Sequence, residues 1–207
     1  MALLLSVLEQ GMIYGILALG VYITYKILDF PDLTVDGSFP FGAAITVRLI
    51  NGFGVPAILT LPIAFLGGAL VGICTGLIHV KLKVRDLLSG IIMMTGLYTI
   101  NLWVAGSGYV AIFDKDNIFN NSLVNSITPD FLVNFKNVII IFLITMVAKY
   151  LLDWYMSTKS GFLLRAVGDN DTIVTSLGVD KGLVKIVGLS IANGLVSLSG
   201  CIYAQQQ

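Results

Sequence analysis

Residues 161–177 read GFLLRAVGDNDTIVTSL, a polar and charged island between two strongly apolar runs. It follows LLDWYMSTKS and passes into GVDKGLVK, so Lys159, Arg165, Lys181 and Lys185 surround it. The segment is too amphipathic to sit in lipid and too periodic to be a bare linker. Leu163, Leu164, Val167, Ile173, Val174 and Leu177 recur about once per helical turn, with an interruption at Gly168-Asp169-Asn170. The pattern predicts a short helix, a Gly/Asn break, and a second short helix starting near an Asp N-cap. A helical elbow held between two membrane spans is a docking surface.

The composition around the island sets the class. With 57% AVILMFWYC, 12% charged residues and 22 glycines, the chain is far from a soluble domain. The expected fold is all-α: a polytopic transmembrane helix bundle forming one domain over residues 1–207, with a cytoplasmic elbow at 157–181. A formal net charge of zero gives no reason to expect a nucleic-acid partner. Cys74 and Cys201 lie inside apolar runs with no His or Cys cluster beside them, which favours small packing residues over a disulfide or metal pair. The N-terminus has no basic region before its apolar run and no small-residue cleavage site, so it reads as a retained first span.

Spans are expected at residues 11–28, 34–50, 55–80, 86–105, 137–156 and 182–203. In the first, Gly11, Gly15 and the Ala18/Leu19/Gly20 patch make a small-residue face suited to close helix contact. Glu9 precedes it, as an interfacial residue at the helix start or as an intramembrane functional group. The second span is the irregular one. Pro31 and Pro40 bracket Asp32, Thr34, Asp36, Gly37 and Ser38 in DFPDLTVDGSFPFGAAITVRLIN, which predicts a broken helix lining a translocation path. The plainer reading is a polar loop followed by a helix from Phe39 to Ile50. Gly68, Gly72 and Gly76 form a packing stripe in the third span, and Pro62 predicts a kink. His79, the only histidine, reads as interfacial. Residues 106–136 are an Asn-rich connection with an amphipathic patch at 131–135.

If each apolar run crosses once, Lys26, Lys81, Lys83, Arg85, Lys149 and the cations around the elbow share one side, leaving Arg48, Lys115 and Lys136 on the other. The positive-inside rule makes the first side cytoplasmic and both chain ends external, whereas re-entry of the second stretch would move the N-terminus inside. No G-x-x-x-x-G-K-[ST] loop, HExxH, paired-Cys metal motif or Ser/His/Asp set is visible. The chain is therefore read as a non-enzyme with no metal site. Polar groups in apolar spans seek a partner or a cavity, so Thr34, Asp36, Ser38, Ser89, Thr95 and Asn101 are the candidate path residues. A secondary transporter or a channel-like protein is the competing class. The former should carry coupling-ion carboxylates deep in its spans, for which only Glu9 and the Asp29/Asp32/Asp36 group are available.

Two stretches carry a family resemblance. Residues 14–48 look like the opening helix and Gly-containing second helix of permease subunits of ATP-binding cassette importers of the branched-chain amino-acid type. Residues 159–200 are similar to the same family's cytoplasmic signature through Gly161, Arg165-Ala166, Asp169-Asn170 and Leu177-Gly178-Val179-Asp180. FPDLTVDGSF differs from branched-chain members and looks closer to relatives taking up aromatic amino acids and other small organic solutes. The resemblance implies a bacterial multi-pass protein of the cytoplasmic membrane that imports an amino acid or similar solute by alternating access. The implied partners are two ATP-binding cassette subunits, which would bind ATP and Mg, a second permease copy or sister permease, and an extracellular solute-binding protein. No cofactor is expected in this chain. Gly161, Leu163, Leu164, Arg165, Val167, Gly168, Asp169, Asn170, Ile173, Leu177 and Gly178 would form the coupling element. Within it, Leu163, Leu164, Val167, Ile173 and Leu177 would enter the ATPase groove, while Arg165, Asp169 and Asn170 would fix its geometry. A snorkelling interfacial cation is the plain reading of Arg165. Such permeases ordinarily continue through further membrane helices, so the resemblance also implies a truncated chain or a short variant.

Overall fold

A computed structural model of the chain describes residues 2–106, 112, 117–120, 135–176 and 178–206. Every regular element among them is helical: α1 Ala2–Val21, α2 Val35–Phe53, α3 Ala57–Leu82, α4 Asp86–Ala105, α5 Lys136–Met156, α6 Lys159–Asp169, α7 Asp171–Ser176 and α8 Lys181–Gln206. Five stretches among the described residues are long and apolar enough to cross a membrane: Leu3–Ile27, Ala57–Leu82, Asp86–Ala105, Lys136–Met156 and Lys181–Gln206. The chain is a multi-pass membrane protein.

The last helix is the hub. Its most apolar window is 67% buried within the chain, against 17–33% for the other four candidate spans. Hydrophobic burial cannot drive helices together inside lipid, so close backbone approach and polar bonds must do so. Both are present on α8. A Cβ on Gly68 or Gly72 of α3 would overlap the carbonyl oxygens of Asn193 or Leu189, and one on Gly76 would lie 2.8 Å from Ile186 Cγ1. The glycine stripe in the third span thus packs on α8. On the α2 side, Gly42 abuts Ser197 O and Gly200 abuts Phe39 O with no room for a side chain. Ser197 Oγ donates to Ala64 O at 2.7 Å, and Ser199 Oγ to Ile13 O at 2.7 Å, tying α8 to α3 and α1.

Four local expectations are corrected. First, α1 starts nine residues before the expected span, and Glu9 lies inside it, 8% exposed, accepting from Gln206 Nε2 at 2.7 Å. The amide at the far end of α8 covers the carboxylate, so the helix need not start after it. Second, Gly20 does pack on α8, where a Cβ would lie 2.6 Å from Ala192 O, but Gly11 and Gly15 have nothing within 4 Å. Third, the second stretch is not broken at Asp36 to Pro40. Helix α2 runs without interruption from Val35 to Phe53 with Pro40 inside it. Proline there removes the one N–H that would bond Asp36 O, and its ring points to the exposed side, so the rest of the ladder survives. Fourth, this helix begins four residues before the Phe39 start of the plainer reading.

The irregularity lies upstream, at residues 28–34. Helix α1 first widens into a π-helical turn, Tyr22–Ile27. Thr24 Oγ1 donates back to Val21 O at 3.1 Å, competing with the backbone ladder, and Leu28 N and Phe30 N then donate to Ile23 O and Thr24 O. The chain leaves through Asp29 at φ 50° and turns at Pro31. Phe30 is fully buried with its ring edge-on to His79, centroids 5.1 Å apart. His79 Nδ1 lies 2.9 Å from Val84 O and 3.1 Å from Asp86 Oδ1, bracing the turn between α3 and α4. Helix α3 runs through Pro62 as one element. Of the connection after α4, Phe119 is buried, and Ile118 N and Asn117 Nδ2 donate to the side chain and backbone of Gln205. The expected patch at 131–135 lies outside the described residues apart from Phe135.

Candidate functional site

Helix α2 starts in the interior of the bundle, and its first turn is the centre of a polar network. Asp32 Oδ1 accepts from Thr34 N at 2.8 Å, placing a carboxylate at the positive end of the helix. Its Oδ2 accepts from Asn193 Nδ2 at 2.8 Å, and the same amide nitrogen donates to Leu189 O at 3.0 Å. Asn193 Oδ1 receives the Ser38 hydroxyl at 2.6 Å. Thr75 Oγ1 donates to Val71 O, so the 3.1 Å contact between Thr34 and Thr75 runs from the Thr34 hydroxyl to Thr75. Thr34, Ser38, Thr75 and Asn193 are all fully buried. The network ties α2, α3 and α8 at one level, and each bond would leave a costly orphan in hydrocarbon if broken.

On the other side of α2 is a groove of about 320 Å³ lined by Asp36, Gly37 and Pro40 of α2 and Met94, Thr95, Tyr98 and Asn101 of α4. Asn101 Nδ2 donates to Gly37 O at 3.1 Å, which fixes the amide's orientation, and its buried Oδ1 has no donor among the described residues. Thr95 Oγ1 already donates to its own helix at Ile91 O and Ile92 O. Asp36 is exposed to the groove and makes no ion pair among the described residues.

The six candidate path residues therefore divide. Asp36, Thr95 and Asn101 share the groove. Thr34 and Ser38 belong to the packed network, fully buried, where they hold helices together. Ser89 is buried and donates to Asp86 O of its own helix, about 18 Å along α4 from Asn101 at ~1.5 Å per residue. The six do not share one groove. Sequence reasoning did not select Asn193, Asp32 or Thr75. A lone Asn within the apolar run SIANGLVSLSG was the available signal for Asn193.

The elbow is the second candidate surface. Helix α6 follows Thr158, whose Oγ1 accepts from Gly161 N and donates to Tyr155 O, and ends at Asn170 in extended backbone. The break thus falls at Asn170, with Gly168 inside the helix. A Cβ on Gly168 would overlap Ile27 O, so the elbow rests directly on the π-helical turn. Leu164 and Val167 are buried against this chain, Leu164 packing where Gly188 of α8 and Leu28 meet. That corrects their expected place in a partner's groove: the inward stripe of the amphipathic helix is consumed by the elbow's own anchoring. Gly161 is buried against the backbone of Tyr155 and Met156. Leu163 is half-buried, while Arg165, Asp169 and Asn170 are exposed. Phe162, not selected from sequence, is 60% exposed on the outer face. Gly178 has φ 75°, a conformation that favours glycine. Ile173 lies in α7, its side chain outside the described residues, as is Leu177.

The described residues hold no group of three or more His, Cys, Asp or Glu side chains able to hold a metal ion.

The family described as "Branched-chain amino acid transport system / permease component" matches residues 3–207. The chain is 42% identical over 203 residues to the "Tyrosine transport system permease protein" of Clostridioides difficile, covering 98% of this chain and 64% of that one. It is 26% identical over 205 residues to the "Probable branched-chain amino acid transport permease protein LivH" of Methanocaldococcus jannaschii, covering 94% and 64%. The "Ribose import permease protein RbsC" of Haemophilus influenzae is 25% identical over 200 residues, covering 96% and 59%. The chain thus spans somewhat less than two thirds of each of these three relatives. No solved structure matches significantly. A helical membrane bundle with a polar network at its heart and an amphipathic elbow, matched to this profile along nearly all its length, belongs to the permease-component family of branched-chain amino acid transport systems.

Proposed function

We propose that the chain is the membrane-spanning part of an ATP-driven importer for amino acids, aromatic ones included, or a similar small organic solute. It moves solute by alternating access, with ATP hydrolysed by separate subunits docked on the elbow. Two ATPase subunits, a second permease and an extracellular binding protein complete the system in a bacterial cytoplasmic membrane. Residues 1–207 act as one permease domain, with α6 and α7 on the cytoplasmic side.

The observation that carries this reading is the seat of the elbow. Gly168 sits on Ile27 O, and Leu164 and Leu28 both close on Gly188 of α8. Five residues after Ile27, past the buried Phe30, the chain enters the network at the half-buried Asp32. Displacement of α6 therefore moves a rigid link joined by hydrogen bonds to α3 and α8, the kind of two-position element that domain closure can bias.

The elbow's outer face supplies the test. Phe162→Glu with Arg165→Glu should reduce recovery of an ATPase subunit with the chain from native membranes by roughly 30-fold, the equivalent of about 2 kcal/mol at an interface hot spot. Yield of the chain should be unchanged, because neither side chain packs in its core. Equal ATPase recovery with both forms removes the elbow as docking element, and absence of any ATPase with the unaltered chain removes the importer.

A second reading, an ion-coupled carrier, is favoured by the buried Glu9 and the Asp32 carboxylate among the helices. Uptake that collapses with an ionophore and survives ATP depletion would establish it instead.

A further inference from the structure

The groove between α2 and α4 is lined by acceptors whose partners are missing. Asp36 brings a carboxylate with no cation paired to it among the described residues. Asn101, 91% buried, directs one N–H of its amide to Gly37 O and holds an Oδ1 with no donor among the described residues. The Thr95 hydroxyl has directed its proton to Ile91 O and Ile92 O, leaving lone pairs. Pro40, also in the lining, withholds the N–H that would otherwise bond Asp36 O. The backbone N–H groups of Asp36 and Gly37 are used by Leu33 O and Thr34 O. Beside the second N–H of the Asn101 amide, the side-chain donor in the lining is the Tyr98 hydroxyl, on a residue 69% exposed.

The depth matters as well. Thr95 and Asn101 lie about 14 and 22 Å along α4 from Asp86, at ~1.5 Å per residue, so the groove runs from the middle of the helix to about one turn from its end at Ala105. An unpaired carboxylate is costly at that depth unless water or a ligand covers it. The competing anion position, the positive end of α2, is already filled by Asp32. A ligand that fits must bring positive charge and several donors, and its apolar part can lie on Met94 and the Tyr98 ring.

We propose that this groove binds a primary ammonium group, the amine of an amino acid or other aliphatic amine, held by the Asp36 carboxylate and Asn101 Oδ1 against the Tyr98 face. The assignment rests on the permease reading and gives it a ligand chemistry. Sugars and simple carboxylates are excluded as good ligands, because they bring no cation to Asp36.

The test uses the full chain in lipid nanodiscs, with phenethylammonium as probe and 3-phenylpropionate and 2-phenylethanol as its anionic and neutral counterparts. Saturation-transfer NMR should show binding of phenethylammonium alone. Asp36→Asn should weaken it about tenfold or more, the loss of one charge-assisted hydrogen bond, while Asp36→Glu keeps most of it. Tyr98→Ala, at an exposed position that folding tolerates, should weaken it about threefold by removing the ring. Equal binding of the three probes, or no change in either Asp36→Asn or Tyr98→Ala, overturns the site. ATP-dependent uptake of labelled L-tyrosine by cells, undiminished in Asp36→Asn, would overturn the site and leave the permease reading standing. Asp36-dependent amine binding without ATP-dependent uptake of any amino acid or other amine would leave the site standing and remove the ATP-driven importer reading.

Discussion

Replacing Gly68 with leucine is expected to abolish the folded bundle, seen as loss of a monodisperse species on solubilisation and of cooperative thermal unfolding. A Cβ there already overlaps Asn193 O and Ser197 Cβ, so the new side chain must push α3 away from α8. Ordinary overpacking costs about 1–3 kcal/mol, because neighbouring side chains can shift. Here the obstacle is helix backbone, which cannot move without breaking the Ser197 to Ala64 bond and opening the polar network beside it. The loss should therefore exceed that range. Gly15→Ala provides the contrast. Nothing lies within 4 Å of a Cβ there, so that change should be neutral or raise stability by up to ~1 kcal/mol through helix propensity. Similar unfolding midpoints for Gly68→Leu and the unaltered chain would mean that α3 and α8 are not packed as described.

The second large effect is expected at Asn193. Leucine there has the same branching and heavy-atom count but removes the donor to Asp32 and the acceptor for Ser38 together. Asp32 would keep only Thr34 N, and Ser38 only Thr34 O, so the loss should be about 1.5–3 kcal/mol, the range for a hydrogen bond to a charged group. The double variant Asn193→Leu with Asp32→Ala should recover part of that loss, since removing both partners leaves less to desolvate. A thermal-unfolding double-mutant cycle measures the coupling directly, and strictly additive losses would show that the 2.8 Å contact contributes nothing. If the network also relays the elbow's movement, the double variant should fold yet fail to transport.

The two halves of the candidate machinery were unequally legible. The elbow could be read because amphipathic periodicity and clustered cations are local signals. Which of its faces is free could not, since Leu163 and Leu164 are chemically alike and only the position of α8 and the π-helical turn separates them. Phe162 is likewise not singled out by its local sequence, and only the fold places it 60% exposed on the outer face. Among the path residues, a polar side chain in a span signals a partner or a cavity but cannot say which. Thr34 and Ser38 found partners on α3 and α8, Ser89 found its own backbone, and Asp36, Thr95 and Asn101 found a common groove.

The sequence by itself determined that this protein is an all-helical membrane bundle with an amphipathic elbow, because lipid demands long apolar helices and a polar island cannot remain within it. It also marked the irregular stretch before α2, through Pro31 and the aspartates around it. Tertiary structure alone decided that Pro40 stays inside a helix, that Glu9 is covered by Gln206 nearly two hundred residues away in the chain, and that Asn193 of α8 bonds both Ser38 of α2 and Asp32 just before it. The physical reason is that a buried polar group or proline is tolerated or not according to what the rest of the fold places against it, and helices far apart in sequence supply that.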